Sequence, residues 1–228
     1  MANHLDLEEQ EQLDQLKHFW NTWGTLISGA VIVVAGSLVA WNGYQYWQNR
    51  QASQAAALFD AVEVASRSGD QTRLGQAFSD LKAKYASTTQ ASQAGLAVAK
   101  TLADAGNADG AKEALAWVVA QSGDEGLKAV AKLRLAGVLM DQKNYDEALK
   151  QLSSAGSVEF EGAFADRRGD LYLLQGNRAQ AIAEYTKAYK SFEEGVEYRR
   201  LVEVKLGALG ASPQAAAVAA VSSVDGVK

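Results

Sequence analysis

Residues 19–49 carry no charged side chain, and this one run limits the possible folds more than any other stretch. Its centre reads WGTLISGAVIVVAGSLVAWNGYQYW. About 20 apolar residues in a helix rise roughly 30 Å, the thickness of a bilayer's hydrocarbon core. Trp20 and Trp23 stand at one end of the run, and Trp41, Tyr44, Tyr46 and Trp47 at the other. Amphipathic rings of this kind favour the two membrane–water interfaces. The reading is a transmembrane helix over residues 21–47 with aromatic belts, preceded by a short acidic segment, 1–20.

A buried core helix and a cleaved signal peptide both fit this run less well. A buried core helix would show a polar face, and none appears between Gly24 and Ala40. A signal peptide opens with a short basic segment. Here Asp6, Glu8, Glu9, Glu11 and Asp14 precede the run against Lys17 alone, and no convincing small-residue cleavage site follows.

Composition removes several function classes. The formal charge is −5, divided between both parts of the chain, so binding to nucleic acid through phosphate neutralisation has no support. There is no cysteine, and both histidines, His4 and His18, precede the apolar run. The remainder therefore cannot build a Ser-His-Asp triad, a Cys-His pair or a His-ligated zinc site. No cofactor or metal is expected. A carboxylate-only enzyme stays formally open. However, the pairs Asp124-Glu125, Asp146-Glu147 and Glu193-Glu194 are adjacent in sequence and diverge by about 100° on a helix, as residues on a solvated face do.

The second signal is a repeat. GDQTRLGQAFSDL, GNADGAKEALAWV, QKNYDEALKQLSSA and GNRAQAIAEYTKAY align on Ala77, Ala111, Ala148 and Ala181, with spacings of 34, 37 and 33 residues. Twelve residues earlier stand Ala65, Ala99, Ala136 and Gly169; four residues later stand Leu81, Leu115, Leu152 and Tyr185. Small residues at two aligned positions let paired helices approach closely, and the large residue fills the space one turn on. Gly106-Asn107 and Gly176-Asn177 break the chain where a hairpin turns. The 37-residue gap reads as an insertion around Asp124-Glu125-Gly126. The pattern resembles the tetratricopeptide repeat; a generic array of helical hairpins is the alternative.

The expected fold is thus all-α: one N-terminal transmembrane helix followed by a tetratricopeptide-like helical-hairpin solenoid over residues 48–209. With no Gly or Pro from residue 50 to residue 66, the membrane helix is expected to continue into the first repeat. Residues 192–209 read as a capping helix with Val196, Leu201, Val204 and Leu206 as its apolar positions. The Ala-rich tail, 210–228, is low in complexity and is expected to be mobile, or to form a short helix against a partner.

Stacked helical hairpins present a concave surface that binds proteins or peptides. The repeat register nominates Gln93, Leu96, Lys100 and Asp104, then Leu133, Met140 and Asp141, then Asp166, Asp170, Leu173 and Leu174 as its lining. Only Lys100 among these is basic, which disfavours a carboxylate-clamping groove. Gly29, Gly36 and Gly43 recur at seven-residue steps and nominate a close-packing face on the membrane helix. Basic residues near the span do not fix its orientation.

The junction QLKHFWNTWGTLISG, the second aromatic cluster WNGYQYW, the repeats and the closing RLVEVKLGALG together resemble the YfgM family, the ancillary subunit of the bacterial SecYEG translocon. The resemblance covers nearly the whole chain except the tail. It implies a single-pass protein of the bacterial inner membrane with its N-terminus in the cytoplasm and its helical domain in the periplasm. It also implies association with SecYEG and with the membrane-anchored chaperone PpiD, and no catalytic residues. The expected function is a membrane-tethered scaffold assisting protein export. The alternative is a membrane-anchored regulatory protein that sequesters a stress-signalling component. Self-association through the groove also stays open.

Overall fold

The computed structural model describes residues 7–211, with side-chain burial from residue 11 onward. Among these residues the chain is entirely helical, with nine helices and no strand. It divides into two compact units between Gln51 and Ala52, and α1 (Leu7–Ser68) contributes to both. The expectations for the first six residues and for the tail from Ser212 lie outside the described residues.

In the first unit, α1 carries the apolar run, the one stretch among the described residues long and apolar enough to cross a membrane. Its side chains are bare: Ile32 is 70% exposed and Val39 74%. The polar groups within it are satisfied by the helix itself. Ser37 Oγ donates to the Val33 carbonyl at 2.8 Å, and Asn42 Nδ2 donates to the Leu38 carbonyl at 2.9 Å. Hydrocarbon offers no other partner, so this arrangement is what a spanning helix needs.

The second unit is a stack of four helical hairpins closed by one more helix. The last part of α1 pairs with α2 (Gln71–Tyr85), where Tyr85 Oη donates to Gln54 at 3.2 Å. α3 (Thr89–Asp104) pairs with α4 (Ala108–Gln121) and α5 (Glu125–Asp141) with α6 (Tyr145–Gln151). α7 (Val158–Leu174) pairs with α8 (Arg178–Ser191), and α9 (Glu197–Ala208) packs on α8. The first helices of successive hairpins also touch, α3 on α5 and α5 on α7.

The hairpin turns set the register. Gly69, Gly106 and Gly176 sit at φ +69°, +77° and +76°, in the left-handed region that glycine enters at no steric cost. The third turn puts Lys143 at φ +59° instead. An Asp or Asn follows each turn. Asp70 accepts the Arg73 amide at 3.0 Å and Asn107 accepts the Gly110 amide at 2.9 Å, capping α2 and α4.

Counted from these turns, the spacings are 37, 37 and 33 residues. The expected 34-residue first step is therefore wrong by one helical turn. Leu74, 1% exposed, and not Ala77, occupies the place of the fully buried Ala111, Ala148 and Ala181. Val62 likewise replaces Ala65 as the partner position on the first helix. The longer step is the rule here, and the short one arises because α6 has only seven residues where α2, α4 and α8 have 14 or 15. The insertion expected around Asp124 is absent for the same reason. Asp124 caps α5 by accepting the Leu127 amide at 2.9 Å, and Glu125 and Gly126 are already helical.

The core follows the repeat closely elsewhere. Leu115, Leu152 and Tyr185 are at most 2% exposed, over Ala99, Ala136 and Gly169. A large side chain buried this way contributes about 1.5–3 kcal/mol relative to exposure. In α9 the buried face is Val202 and Leu206. Val196, Leu201 and Val204 point outward at 41%, 47% and 68% exposed, so of the four apolar positions expected to cap the array only Leu206 does.

Candidate binding groove

The first helices of the four hairpins carry the candidate groove positions, and their placement follows from the turn register. Six residues before the turns stand Glu63, Lys100, Gly137 and Asp170; two residues before them stand Arg67, Asp104, Asp141 and Leu174. Except for Gly137 and Asp170, these side chains are exposed. Ion pairs run along the first two of these helices, α1 and α3: Arg67 to Glu63 at 3.6 Å and Lys100 to Asp104 at 2.6 Å. A cleft of about 560 Å³ lies between them, lined by Glu63, Ser66, Arg67, Ala97, Lys100 and Thr101. The Ser66 hydroxyl is buried there without a hydrogen-bond partner.

The structure separates the nominated lining residues. Gln93, Lys100, Asp104, Asp141, Leu173 and Leu174 are exposed, and Leu133 is half-buried. Leu96 and Met140 are turned into the core at 8% and 7% exposed. Asp166 is 2% exposed, and with Asp170 it is committed to α9. Lys205 Nζ donates to both Asp166 oxygens at 2.8 Å and to Asp170 at 2.7 Å. Tyr198 Oη donates to Asp166 at 2.8 Å and Tyr185 Oη to Asp170 at 2.8 Å. At single positions the expected face was off by one residue, about 100°: Leu96 and Asp166 are buried while Ala97 and Arg167 beside them are part exposed. The residues that face out nine places before each turn are Asp60, Ala97, Arg134 and Arg167, and sequence reasoning passed over the two arginines. Their spacing of 33 residues, matching that of their hairpin turns, was the signal that could have found them.

Charge around α9 and the last hairpin is tightly compensated. Burial and the hydrogen bond to Asp166 push the Tyr198 hydroxyl up to about 12, and burial with the Asp170 bond raises Tyr185 further still. A second network lies behind the groove. Arg168, 9% exposed, donates to Glu184 at 2.7 Å, to Glu161 at 2.9 Å and to the Leu152 carbonyl at 2.9 Å. Lys187 approaches Glu161 at 2.6 Å. Burial alone would raise the Glu161 carboxyl, but its bonds to Lys187 and Arg168 outweigh that and hold it below its ordinary value. Because Leu152 ends α6, Arg168 ties the short third hairpin to the fourth. Among the described residues no group of three His, Asp or Glu side chains is placed to hold a metal ion.

On the membrane segment, a Cβ built on Gly29, Gly36 or Gly43 meets nothing within 4 Å. All three glycines are open along the helix.

The tetratricopeptide repeat-like domain family matches residues 17–211, the apolar run and all four hairpins together. The ancillary SecYEG translocon subunit of Neisseria gonorrhoeae is 35% identical over 92% of this chain and 100% of its own length. This chain belongs to that family of ancillary translocon subunits. Family members from Escherichia coli and Haemophilus influenzae are 28% and 27% identical, over 80% and 81% of this chain and 88% and 90% of their own. The likeness therefore includes the membrane segment together with the repeat domain.

Proposed function

We propose that this protein is a membrane-tethered, non-catalytic adaptor of the Sec translocon. The observation that carries this reading is the family likeness, which runs the full length of a translocon subunit from Neisseria gonorrhoeae. The bare apolar run supplies the anchor, and the open glycines at 29, 36 and 43 supply a face on which a neighbouring membrane helix packs closely. The N-terminus lies in the cytoplasm and the hairpin domain in the periplasm. There the groove holds a membrane-anchored chaperone of the PpiD type beside chains leaving the translocon.

Two measurements test this. A topology reporter fused after Lys228 is expected to report the periplasm; a cytoplasmic signal overturns the periplasmic assignment and favours the regulatory alternative. Photo-crosslinkers at Gly36 and at Gln93 are expected to capture translocon and chaperone subunits respectively. Failure to capture a translocon subunit from either position removes the adaptor reading.

A further inference from the structure

We infer that the middle of the groove, between α5 and α7, is a receptor for the side-chain carboxylates of an acidic, extended protein segment, with Arg134 and Arg167 as its two anchors. This rests on the adaptor reading above and names the chemistry of its groove partner.

Register brings the two arginines together. Arg134 and Arg167 each stand two residues before the close-packed small residue of their helix, Ala136 and Gly169. They therefore occupy the same position on neighbouring first helices that pack against each other. Packed helix axes lie about 8–10 Å apart, so two long guanidinium side chains at one register serve a single stretch of bound chain. Arginine's planar fork suits bidentate carboxylate recognition.

The charge balance decides the sign of the ligand. Other groove charges are already matched: Glu63 by Arg67, Asp104 by Lys100, and Asp170 by Lys205 and Tyr185. Arg134 has no carboxylate within 4 Å among the described residues; its Nη1 donates only to the Leu96 carbonyl, at a long 3.4 Å. Arg167 reaches Asp170 only at 3.9 Å, and that carboxylate is held more closely by Lys205, at 2.7 Å. Two acids are left over: Asp141, seven residues beyond Arg134 on the same helix, or roughly 10 Å further along its axis, and Asp60, at the arginines' register but two hairpins before Arg134. The groove thus has an unmatched positive centre and a negative turn edge, and it calls for carboxylates at the centre.

Space is present alongside. Ala97 takes the same register position on α3, next to the arginine-bearing helices, and it lines the 560 Å³ cleft between α1 and α3 that holds the unpartnered Ser66 hydroxyl. A bound backbone carbonyl would satisfy that hydroxyl. The expectation that this groove disfavours a C-terminal carboxylate clamp rested on Lys100 being the only cation among the nominated residues; Arg134 and Arg167, which were not among them, add two more.

The test uses the full-length protein in detergent and a fluorescent peptide of about ten residues with two aspartates, its C-terminus amidated so that only side-chain carboxylates count. Anisotropy titrations compare it with the same peptide bearing asparagine or lysine in their place. The aspartate peptide is expected to bind at least about tenfold more tightly than either, with affinity falling as salt rises. Arg134→Gln and Arg167→Gln are each expected to weaken it about tenfold, the size of one charge-assisted bond. Lys112→Gln, outside the groove, should leave it unchanged. Because both arginines are at least part exposed, thermal melting of the double variant should match the parent and so excludes a folding failure. Equal binding of the asparagine or lysine peptide, or full affinity in the double variant, overturns the inference. If translocon subunits are still crosslinked in that case, the adaptor reading stands while this receptor site falls.

Discussion

Tyr185 lies against Gly169 so closely that a Cβ on the glycine would come within 2.5 Å of the tyrosine ring. The contact brings α7 and α8 together in the fourth hairpin. Gly169→Ala is expected to cost about 1–3 kcal/mol, the range for overpacking a tight core. Gly137, in α5, provides the contrast: a Cβ there meets nothing within 4 Å. Gly137→Ala should therefore stabilise the domain by up to about 1 kcal/mol through helix propensity alone. Urea unfolding of the two variants checks the pair, and the same sign in both would refute the packing argument.

Lys205 neutralises a carboxylate that is almost wholly buried. Removing the ammonium in Lys205→Met strands Asp166 and is expected to cost about 3–5 kcal/mol, as breaking a buried pair does. The double variant Lys205→Met/Asp166→Leu should recover part of that loss. A double-mutant cycle by thermal melting measures the coupling.

The same cluster sets an alkaline limit. The Tyr198 hydroxyl is raised in the folded state to about 12. A group whose folded value lies above its unfolded value of about 10 contributes stability that is complete below about pH 10 and lost as pH climbs toward about 12. Tyr198→Phe should lower the melting temperature near neutral pH and flatten its decline across that alkaline window. An unchanged alkaline profile would show that the Tyr198–Asp166 bond does not carry this dependence.

At the acid end the sign reverses. Glu161 is held below its ordinary value by Lys187 and Arg168. Its contribution is complete above the unfolded value and is lost as pH falls through the lower folded one. Glu161→Gln should reduce stability near neutral pH and narrow its difference from the parent as pH falls below the ordinary carboxylate range, read by circular dichroism. Arg168→Ala removes the shared donor, leaves Glu184 and the Leu152 carbonyl unanswered and Glu161 with Lys187 alone, and should cost about 3 kcal/mol or more.

Lys143 marks the one hairpin turn that lacks glycine, although its φ of +59° is the same in kind as that of Gly69, Gly106 and Gly176. The left-handed region costs a residue with a Cβ roughly 1–2 kcal/mol. Lys143→Gly should stabilise the domain by about 0.5–1 kcal/mol after the added flexibility of the unfolded chain is subtracted. Differential calorimetry would detect the rise.

The architecture was legible in the sequence because its signals are redundant. The apolar run carries no charge over its whole length, and three hairpins repeat Ala111, Ala148 and Ala181 with a large residue four places on. The first hairpin misled because Leu74 and Val62 fill places where alanine or glycine stands in later hairpins, so matching by residue type slid one turn to Ala77 and Ala65. Counting from the turn residues, Gly69 included, finds the correct step. The groove was harder to read. One residue of rotation separates the buried Leu96 and Asp166 from the outward Ala97 and Arg167, and periodicity of about 3.6 does not distinguish neighbours on a face that is part apolar, part acidic. Asp166 misled further because its cation is 39 residues away on α9, a pairing that no local pattern announces.

The commitment of Asp166 and Asp170 to Lys205 also fixes the direction in which the array can grow. An additional hairpin after α8 would displace α9 and leave two acids facing an apolar helix, so lengthening at that end requires a new cation at the Lys205 position in the same step. Insertions upstream of α5 meet no such condition. Designed extensions of this domain should therefore be spliced between the second and third hairpins, where the buried faces of α4 and α5 are wholly apolar.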